Sequence, residues 1–499
     1  MADINKAIKP VESVRIAPLN DGSLYQANKE IKFRLGAGLD MFLVAKSYLQ
    51  FDLACKGKEW TNVLRTGSTT RMNVFPSYIK NACNIFRTIE VYYGGDCIYT
   101  TKTQNIENNT IRMMEWGDNY LDKNWSIYTT TNMIKNKTAF LKLENAHRRK
   151  GADGADALTA VRDDQTIYNI QIPLNQLLPF WMNVGPDGFP MRSLNQQIEI
   201  RLYVADPYLY LVDYNNDNGI NDFTYDRLDF TLDGDTNAIQ WNETNVSANK
   251  LNKMKTRFEN SDVTLENVYI YANYYTPDAN EAAIIDDKCA NGSYSLKYDL
   301  WDFDERQIDK IQQSNNLPFS VVTSNTKAIL CYCFRKQTSP SIHYRPYLNN
   351  FQLKFTPHVS PLQPISGTTM GTPHEYKYAI DDVFNALDTY YTDTNSDFDR
   401  CYQFEEDTVR GSSATKPSSS FIIYGMNYTS DPTDIGADSS DWNSQYQMNF
   451  NGPSTSTTTE DGGTIADETT SKYGLQFVIA VKEAAGLIIK NNKIFTFTL

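Results

Sequence analysis

Histidine is the side chain most used for proton transfer and for zinc. Here it occurs only at His147, His343, His358 and His374, no two within ten residues of each other. An HExxH zinc helix, a GxSxG nucleophile elbow and a GxxxxGK[ST] phosphate loop are all missing from the sequence. Gly36-Ala-Gly38 follows a strand-like run but lacks the third glycine and the helix of a dinucleotide site, so it reads as a turn. Asp213-Tyr-Asn-Asn-Asp217-Asn-Gly219 has the oxygen density of a calcium loop. Its glycine falls one residue late, however, and no glutamate closes it, which predicts an Asx-rich turn. Cys331-Tyr-Cys333 puts two sulfurs on one strand face, where structural zinc needs four ligands, so both read as core thiols. Carboxylate pairs for glycoside chemistry can be drawn from 60 acidic residues, but nothing singles one pair out. The expectation is a protein with no catalytic residues, no metal and no cofactor.

The elements that carry these residues are strands. Ile31, Phe33 and Leu35 alternate with Lys32 and Arg34, and Leu49, Phe51, Leu53 and Cys55 share one face. Ile85, Arg87, Ile89, Val91 and Tyr93 form another set, followed by a Gly94-Gly95-Asp96 turn and Cys97-Ile-Tyr-Thr. Strand signals return at 167–173, at Ile198 to Val204, and at Val268, Ile270, Ala272 and Tyr274. Later strands are expected at Leu317-Pro-Phe-Ser320, 328–334, Phe351 to Phe355, 421–425, Leu475 to Val481, Gly486 to Ile489, and Phe495 to Leu499. Polar stretches at 105–165, 212–260 and 429–470 read as long loops, and 376–391 as a short amphipathic helix. The sequence thus divides into an irregular N-terminal arm (1–26), a first β-sandwich (27–276), a connector (277–316) with one helical turn near Glu281, and a second β-sandwich (317–499).

Bulk properties narrow the function classes. At 499 residues the chain exceeds the usual span of one hydrophobic core. A net charge of −13 argues against broad nucleic-acid binding, which needs clustered Lys and Arg, and the dense basic run Arg148-Arg149-Lys150 reads as a solvated loop. The seven cysteines (Cys55, Cys83, Cys97, Cys289, Cys331, Cys333 and Cys401) are dispersed and read as reduced thiols. No apolar leader precedes residue 27, so no secretory signal is expected, and no stretch approaches the ~20 apolar residues of a membrane span.

The most distinctive string is Ile172-Pro-Leu-Asn-Gln-Leu-Leu-Pro-Phe-Trp181, then Gly188-Phe-Pro-Met191, then the alternating Ile198-Glu-Ile-Arg-Leu-Tyr-Val204. Pro173 and Pro179 cannot donate to a ladder and mark strand ends. Phe180, Trp181, Phe189 and Pro190 supply large apolar area, either as core or as anchors at a junction with a neighbouring subunit. This string, with Ser47-Tyr-Leu-Gln-Phe51 and Arg87-Thr-Ile-Glu-Val-Tyr-Tyr-Gly-Gly95, resembles the double jelly-roll major capsid proteins of virophages, polinton-like viruses and nucleocytoplasmic large DNA viruses. The likeness of pattern runs from about residue 27 to 499. It implies an all-β fold of two tandem eight-stranded antiparallel jelly rolls with long loop insertions and few short helices. It implies a homotrimer with pseudo-sixfold symmetry that tiles an icosahedral shell around a DNA genome. The expected partners are further copies of the chain and the penton and minor capsid proteins of the same virion, with synthesis in the host cytoplasm and the loops 105–165, 212–260 and 405–470 on the outer tower. A carbohydrate-binding viral fibre or lectin is the alternative, and a jelly-roll glycosidase a more distant one.

Overall fold

Two sets of eight strands repeat one topology. The first set is β1 (Val11–Ile16), β2 (Glu30–Leu35), β3 (Tyr48–Lys56), β4 (Phe86–Tyr93), β5 (Asp96–Thr100), β6 (Gln165–Pro173), β7 (Ile198–Val204) and β8 (Val263–Tyr275). Its strands pair antiparallel in the orders β1–β8–β3–β6 and β2–β7–β4–β5. The second set is β9 (Tyr294–Ile308), β10 (Asn315–Phe319), β11 (Asn325–Arg335), β12 (Asn350–Thr356), β13 (His358–Ser366), β14 (Ile422–Asn427), β15 (Asn443–Asn451) and β16 (Leu475–Lys490). These pair antiparallel as β9–β16–β11–β14 and β10–β15–β12–β13. Counted from the start of each set, both run first–eighth–third–sixth and second–seventh–fourth–fifth. That is the eight-stranded jelly roll, written twice. The computed structural model describes residues 11–20, 22, 24–37, 40–56, 59–61, 69–76, 82–101, 165–185, 187–206, 211–215, 263–308, 314–321, 325–335, 350–356, 358–366, 422–429, 437–438, 443–451 and 475–498.

Alternation builds each core. On β7, Ile198, Ile200, Leu202 and Val204 are buried and the residues between them are not, as a period of two dictates. They meet Leu49, Phe51 and Leu53 of the facing sheet. The outward side of the same sheet is a charge ladder. Arg34 and Arg201 both bond Glu199, at 3.2 and 2.7 Å, Lys32 meets Glu30 at 3.0 Å, and the Arg201 guanidinium lies 4.1 Å over the Tyr92 ring. The second core gathers Phe319, Ile329, Cys331, Phe351, Leu353, Met448, Phe450, Phe477 and Ile479. Cys83, Cys289 and Cys331 are buried, and Cys97 is exposed.

Several expectations change. Val11–Ile16, read as irregular arm, is the first strand of the first roll, pairing with Ile270 to Tyr275. Its apolar members Val14 and Ile16 pack on the core, but Glu12 before them and Arg15 between them hide the pattern. On β4 the inward position falls to Phe86 rather than Arg87, because the register with β7 shifts between Tyr203 and Val204. Residues 277–316, read as a connector, contain the helix α1 (Ala279–Asn291) and the whole of β9. Asp278 caps α1 by accepting from the amides of Asn280 and Glu281, and Gly292, at φ +84°, ends it in the left-handed region. Within the stretch read as the loop 429–470, Tyr446, Met448 and Phe450 of β15 are buried. Leu475 to Lys490 is one continuous strand rather than two. On β17 (Lys493–Thr498), which pairs with the end of β16, Ile494 points inward and Phe495 outward. Leu211–Asn215, at the edge of the 212–260 loop, is a strand paired with Thr69–Pro76, and the rest of that loop lies outside the described residues. The 376–391 helix and residues 105–164 of the first loop also lie outside them.

Deleting residues 1–16 removes β1 and, with it, the packing of Val14 and Ile16 on the first core. The expected cost is about 2 kcal/mol of burial plus an unpaired edge on β8. A lowered urea midpoint is the result to look for, and an unchanged midpoint would show β1 to be dispensable.

Candidate functional site

Of the six residues singled out by sequence, Phe180 and Phe189 reach the second roll, Trp181 packs against both, and Pro173, Pro179 and Pro190 lie in the adjoining strand ends and turns. Pro173 closes β6 opposite Tyr48 and starts one helical turn, Leu174–Leu177. Pro179 opens the next turn, Pro179–Trp181, at a position where its missing N–H has no partner to lose. Phe189 and Pro190 pair with Phe42 and Met41. Gly188 makes that approach possible: its φ is +82°, and a Cβ there would stand 2.8 Å from the Phe42 carbonyl oxygen.

These turns bring rings together. Trp181 packs edge-on against Phe42 at 5.4 Å and against Phe189 at 5.9 Å, and Phe180 lies 5.0 Å from Trp181. The cluster crosses into the second roll, where Phe180 meets Tyr298 at 6.4 Å and Phe189 meets Tyr294 at 6.2 Å. Phe180 and Trp181 are at most 1% exposed within this one chain, which leaves them no surface for a neighbouring subunit. Among the described residues the Trp181 Nε1 and the Tyr274 hydroxyl are buried without hydrogen-bond partners, so ring packing rather than polar bonding holds the cluster.

Polar contacts surround it. The Arg192 guanidinium grips the Asp286 carboxylate of α1 at 3.3 and 3.2 Å, and the Ser193 hydroxyl donates to it at 2.6 Å. Burial alone would raise the Asp286 carboxyl; the Ser193 and Arg192 bonds outweigh it and hold the group below its ordinary value. The Tyr93 hydroxyl lies 2.6 Å from Asn195 Oδ1 and 2.8 Å from the Asn492 carbonyl. Asn183 donates to the Lys297 carbonyl at 2.7 Å.

Sequence reasoning missed the second roll's half of the joint. Tyr294, Leu296, Tyr298 and Leu300 of β9 and Ala485, Leu487 and Ile489 of β16 face the first core. Their alternation with Ser295, Lys297 and Asp299 was a strand signal inside the supposed connector. Glu483 was missed too. It sits on the same face of β16, between Val481 of the second core and Ala485 of the first, with Leu300 and Thr326 as ladder partners. Burial, and then the diagonal Asp302 carboxylate, push it up to about 7. Lys327 and Lys482 serve Asp299 on the opposite face, at 2.9 and 3.7 Å.

No three His, Cys, Asp or Glu side chains among the described residues gather as metal ligands would. Cys331 is wholly buried, and burial raises its thiol. In the suspected calcium loop, Asp213 to Asn215 are strand, and 216–219 lie outside the described residues. No helix among the described residues is long and apolar enough to cross a membrane.

No protein-family model matches the chain, and no curated protein matches it in sequence. Solved structures do match. The VP54 protein of PBCV-1, fitted into a reconstruction of the virophage Sputnik, aligns at TM-score 0.50 over 98% of this chain and 96% of its own, with 9% identity. The quasi-atomic model of the PBCV-1 virus capsid aligns at TM-score 0.50 over 98% and 96%, with 8% identity. The chain has the fold of the double jelly-roll major capsid proteins. At such identities the likeness is one of fold, and it extends over both jelly rolls and the joint between them. The Faustovirus major capsid protein aligns at TM-score 0.46 over 98% and 93%, with 8% identity.

Two substitutions probe the joint of this double jelly roll. Trp181→Ala should cost about 3–5 kcal/mol in a guanidinium titration followed by circular dichroism, whereas Trp181→Phe, which keeps a ring and removes the orphaned N–H, should cost far less. Equal losses would mean that ring packing does not hold the joint. Glu483 tests pH dependence. Its folded value lies above its ordinary one, so between the ordinary carboxylate range and about pH 7 the folded state keeps a proton that the unfolded chain has released. Stability therefore falls as pH rises from the ordinary carboxylate range through about 7, then levels off. Glu483→Gln should melt higher than the parent at pH 8 and lose this slope; an identical slope in both proteins would remove Glu483 from the account.

Proposed function

We propose that this chain is a viral major capsid protein. Three copies associate, each contributing two rolls, so that the capsomer presents six similar units and tiles an icosahedral shell around a DNA genome. The observation that carries the reading is the repeated strand order within one chain, with the two rolls fixed to each other through a buried joint. A rigid pair of like units is what pseudo-sixfold packing asks of a trimer. The fold likeness to the PBCV-1 virus capsid supports the same reading. The role is mechanical, without catalysis, and it places the protein in the virion with penton and minor capsid proteins as partners. A net charge of −13 leaves genome condensation to another, basic component.

The lectin reading would draw on the outward tyrosines of the first roll. Their rings are engaged within the chain: Tyr48 stacks on Tyr271 at 5.1 Å, and the Arg15 guanidinium lies 3.3 Å over Tyr269. That arrangement favours a structural face over a sugar platform.

Light scattering on purified protein, followed by negative-stain microscopy, tests the proposal. A mass near three times 56.9 kDa with a hexagonal outline is expected. Subunit contacts should bury more than ~2,000 Å², so the trimer should persist on dilution. A monodisperse monomer at micromolar concentration would sink it.

A further inference from the structure

The ribbon of β9, β16 and β17 has a second face, turned away from the joint. Alternation puts Gly486 and Ile488 of β16 on it, and their ladder partners on β17 are Phe497 and Phe495. The Phe497 ring fills the space over Gly486: a Cβ built there would lie 2.4 Å from a ring carbon. Phe495, alongside, is 51% exposed. Three exposed lysines surround these rings. Lys297 pairs with Gly486 from β9, and Lys490 and Lys493 pair with each other beside Ile488 and Phe495. In a chain of net charge −13, an apolar platform rimmed by lysines is a local reversal of sign.

We propose that this platform docks a second copy of the chain through the exposed face of its helix α1. That helix presents Ile284, 56% exposed. Glu281 and Asp287, one turn before and after Ile284, flank it on that face with Lys288 beside them, while Asp286 is turned the other way onto Arg192. An apolar residue among acids matches an apolar platform among lysines in shape of pattern and in sign. The contact is heterologous, since two different patches of one surface meet, and such contacts propagate into rings or lattices. Opposite charges across it also disfavour the wrong pairing of two platforms or two helices. The inference rests on the self-assembly reading of the preceding section.

Sedimentation equilibrium at low and high salt, with microscopy of the same samples, tests it on the full chain. Phe495→Ser should weaken association at least tenfold while leaving the melting midpoint unchanged. The pair Lys297→Glu and Lys493→Glu should do the same and abolish the salt dependence. Adding Asp287→Lys to that pair should restore association, because the two signs are then exchanged. Variants that associate like the parent would overturn the platform while leaving self-assembly intact. Weakening without rescue by Asp287→Lys would overturn the helix as its occupant. A parent protein that stays monomeric at every concentration would bring down the self-assembly reading itself, and this contact with it.

Discussion

The molecule depends on one ladder. β9 and β16 pair without interruption over fifteen residues, from Tyr294 opposite Ile489 to Ile308 opposite Leu475. Because strand side chains alternate between two faces, a single face of this ribbon is committed along its whole length. At one end that face offers Phe477, Ile479 and Val481 to the second core, and at the other Ala485, Leu487 and Ile489 to the first. The two rolls therefore share a structural member rather than being tethered by a linker. A one-residue slip would turn both sets outward together, so the register of one roll and the seating of the other are a single constraint.

That sharing explains what surrounds the ribbon. Chain leaving β8 must cross from a sheet of the first roll to the start of β9 in a sheet of the second, and α1 makes the crossing, fastened by Arg192 on Asp286 and by its own caps. The aromatic turn at Pro179–Trp181 fills the angle between the first roll and the ribbon, where Tyr294 and Tyr298 provide facing rings. Between the two apolar ends lies the one interval of the ribbon face that neither core covers fully, and Glu483 occupies it. A carboxyl there is tolerated at neutral pH because it can keep its proton, whereas a fixed charge would have to be desolvated without a partner.

Much of this was legible in the residues. Strands with strict alternation, such as Ile198 to Val204 and Phe351 to Phe355, fell where a period of two put them. The prolines and rings around Trp181 were visible as a special turn. What escaped were strands whose apolar half is diluted by charge or amide: β1, β9 and β15. In β9, Asp299, Asp302, Asp304, Glu305 and Arg306 crowd one segment. β9 is an edge strand, and charges on an edge deter pairing with a stray strand. The same feature that protects the fold conceals the strand from a composition-based reading. Leu475 to Val481 and Gly486 to Ile489 were read as two strands, and glycine often interrupts a strand, yet here Gly486 lies within one strand and admits the Phe497 ring.

Two rolls of equal topology need not be equal at their surfaces, and here they are not. The outward side of β2, β7 and β4 carries Glu30, Lys32, Arg34, Glu199, Arg201 and Glu90, three acids and three bases, with Glu30 and Glu199 in ion pairs and Glu90 accepting from the Tyr203 hydroxyl. The corresponding side of β10, β15 and β12 carries Asn316, Gln447, Asn449, Gln352 and a single charge, Lys354. Exposed ion pairs of this kind contribute little to stability, so the ladder is poorly explained as a device for holding the first roll together. It is better explained by discrimination. A neutral amide face and a charge-patterned face present different partners to whatever abuts them, and pairing the wrong two leaves ions desolvated and unmatched. In the three-chain capsomer proposed above, positions around the ring would alternate between the two faces. The shape would be sixfold while the chemistry stayed threefold, and the chain could fix its own rotational setting against a neighbour without a separate locating element.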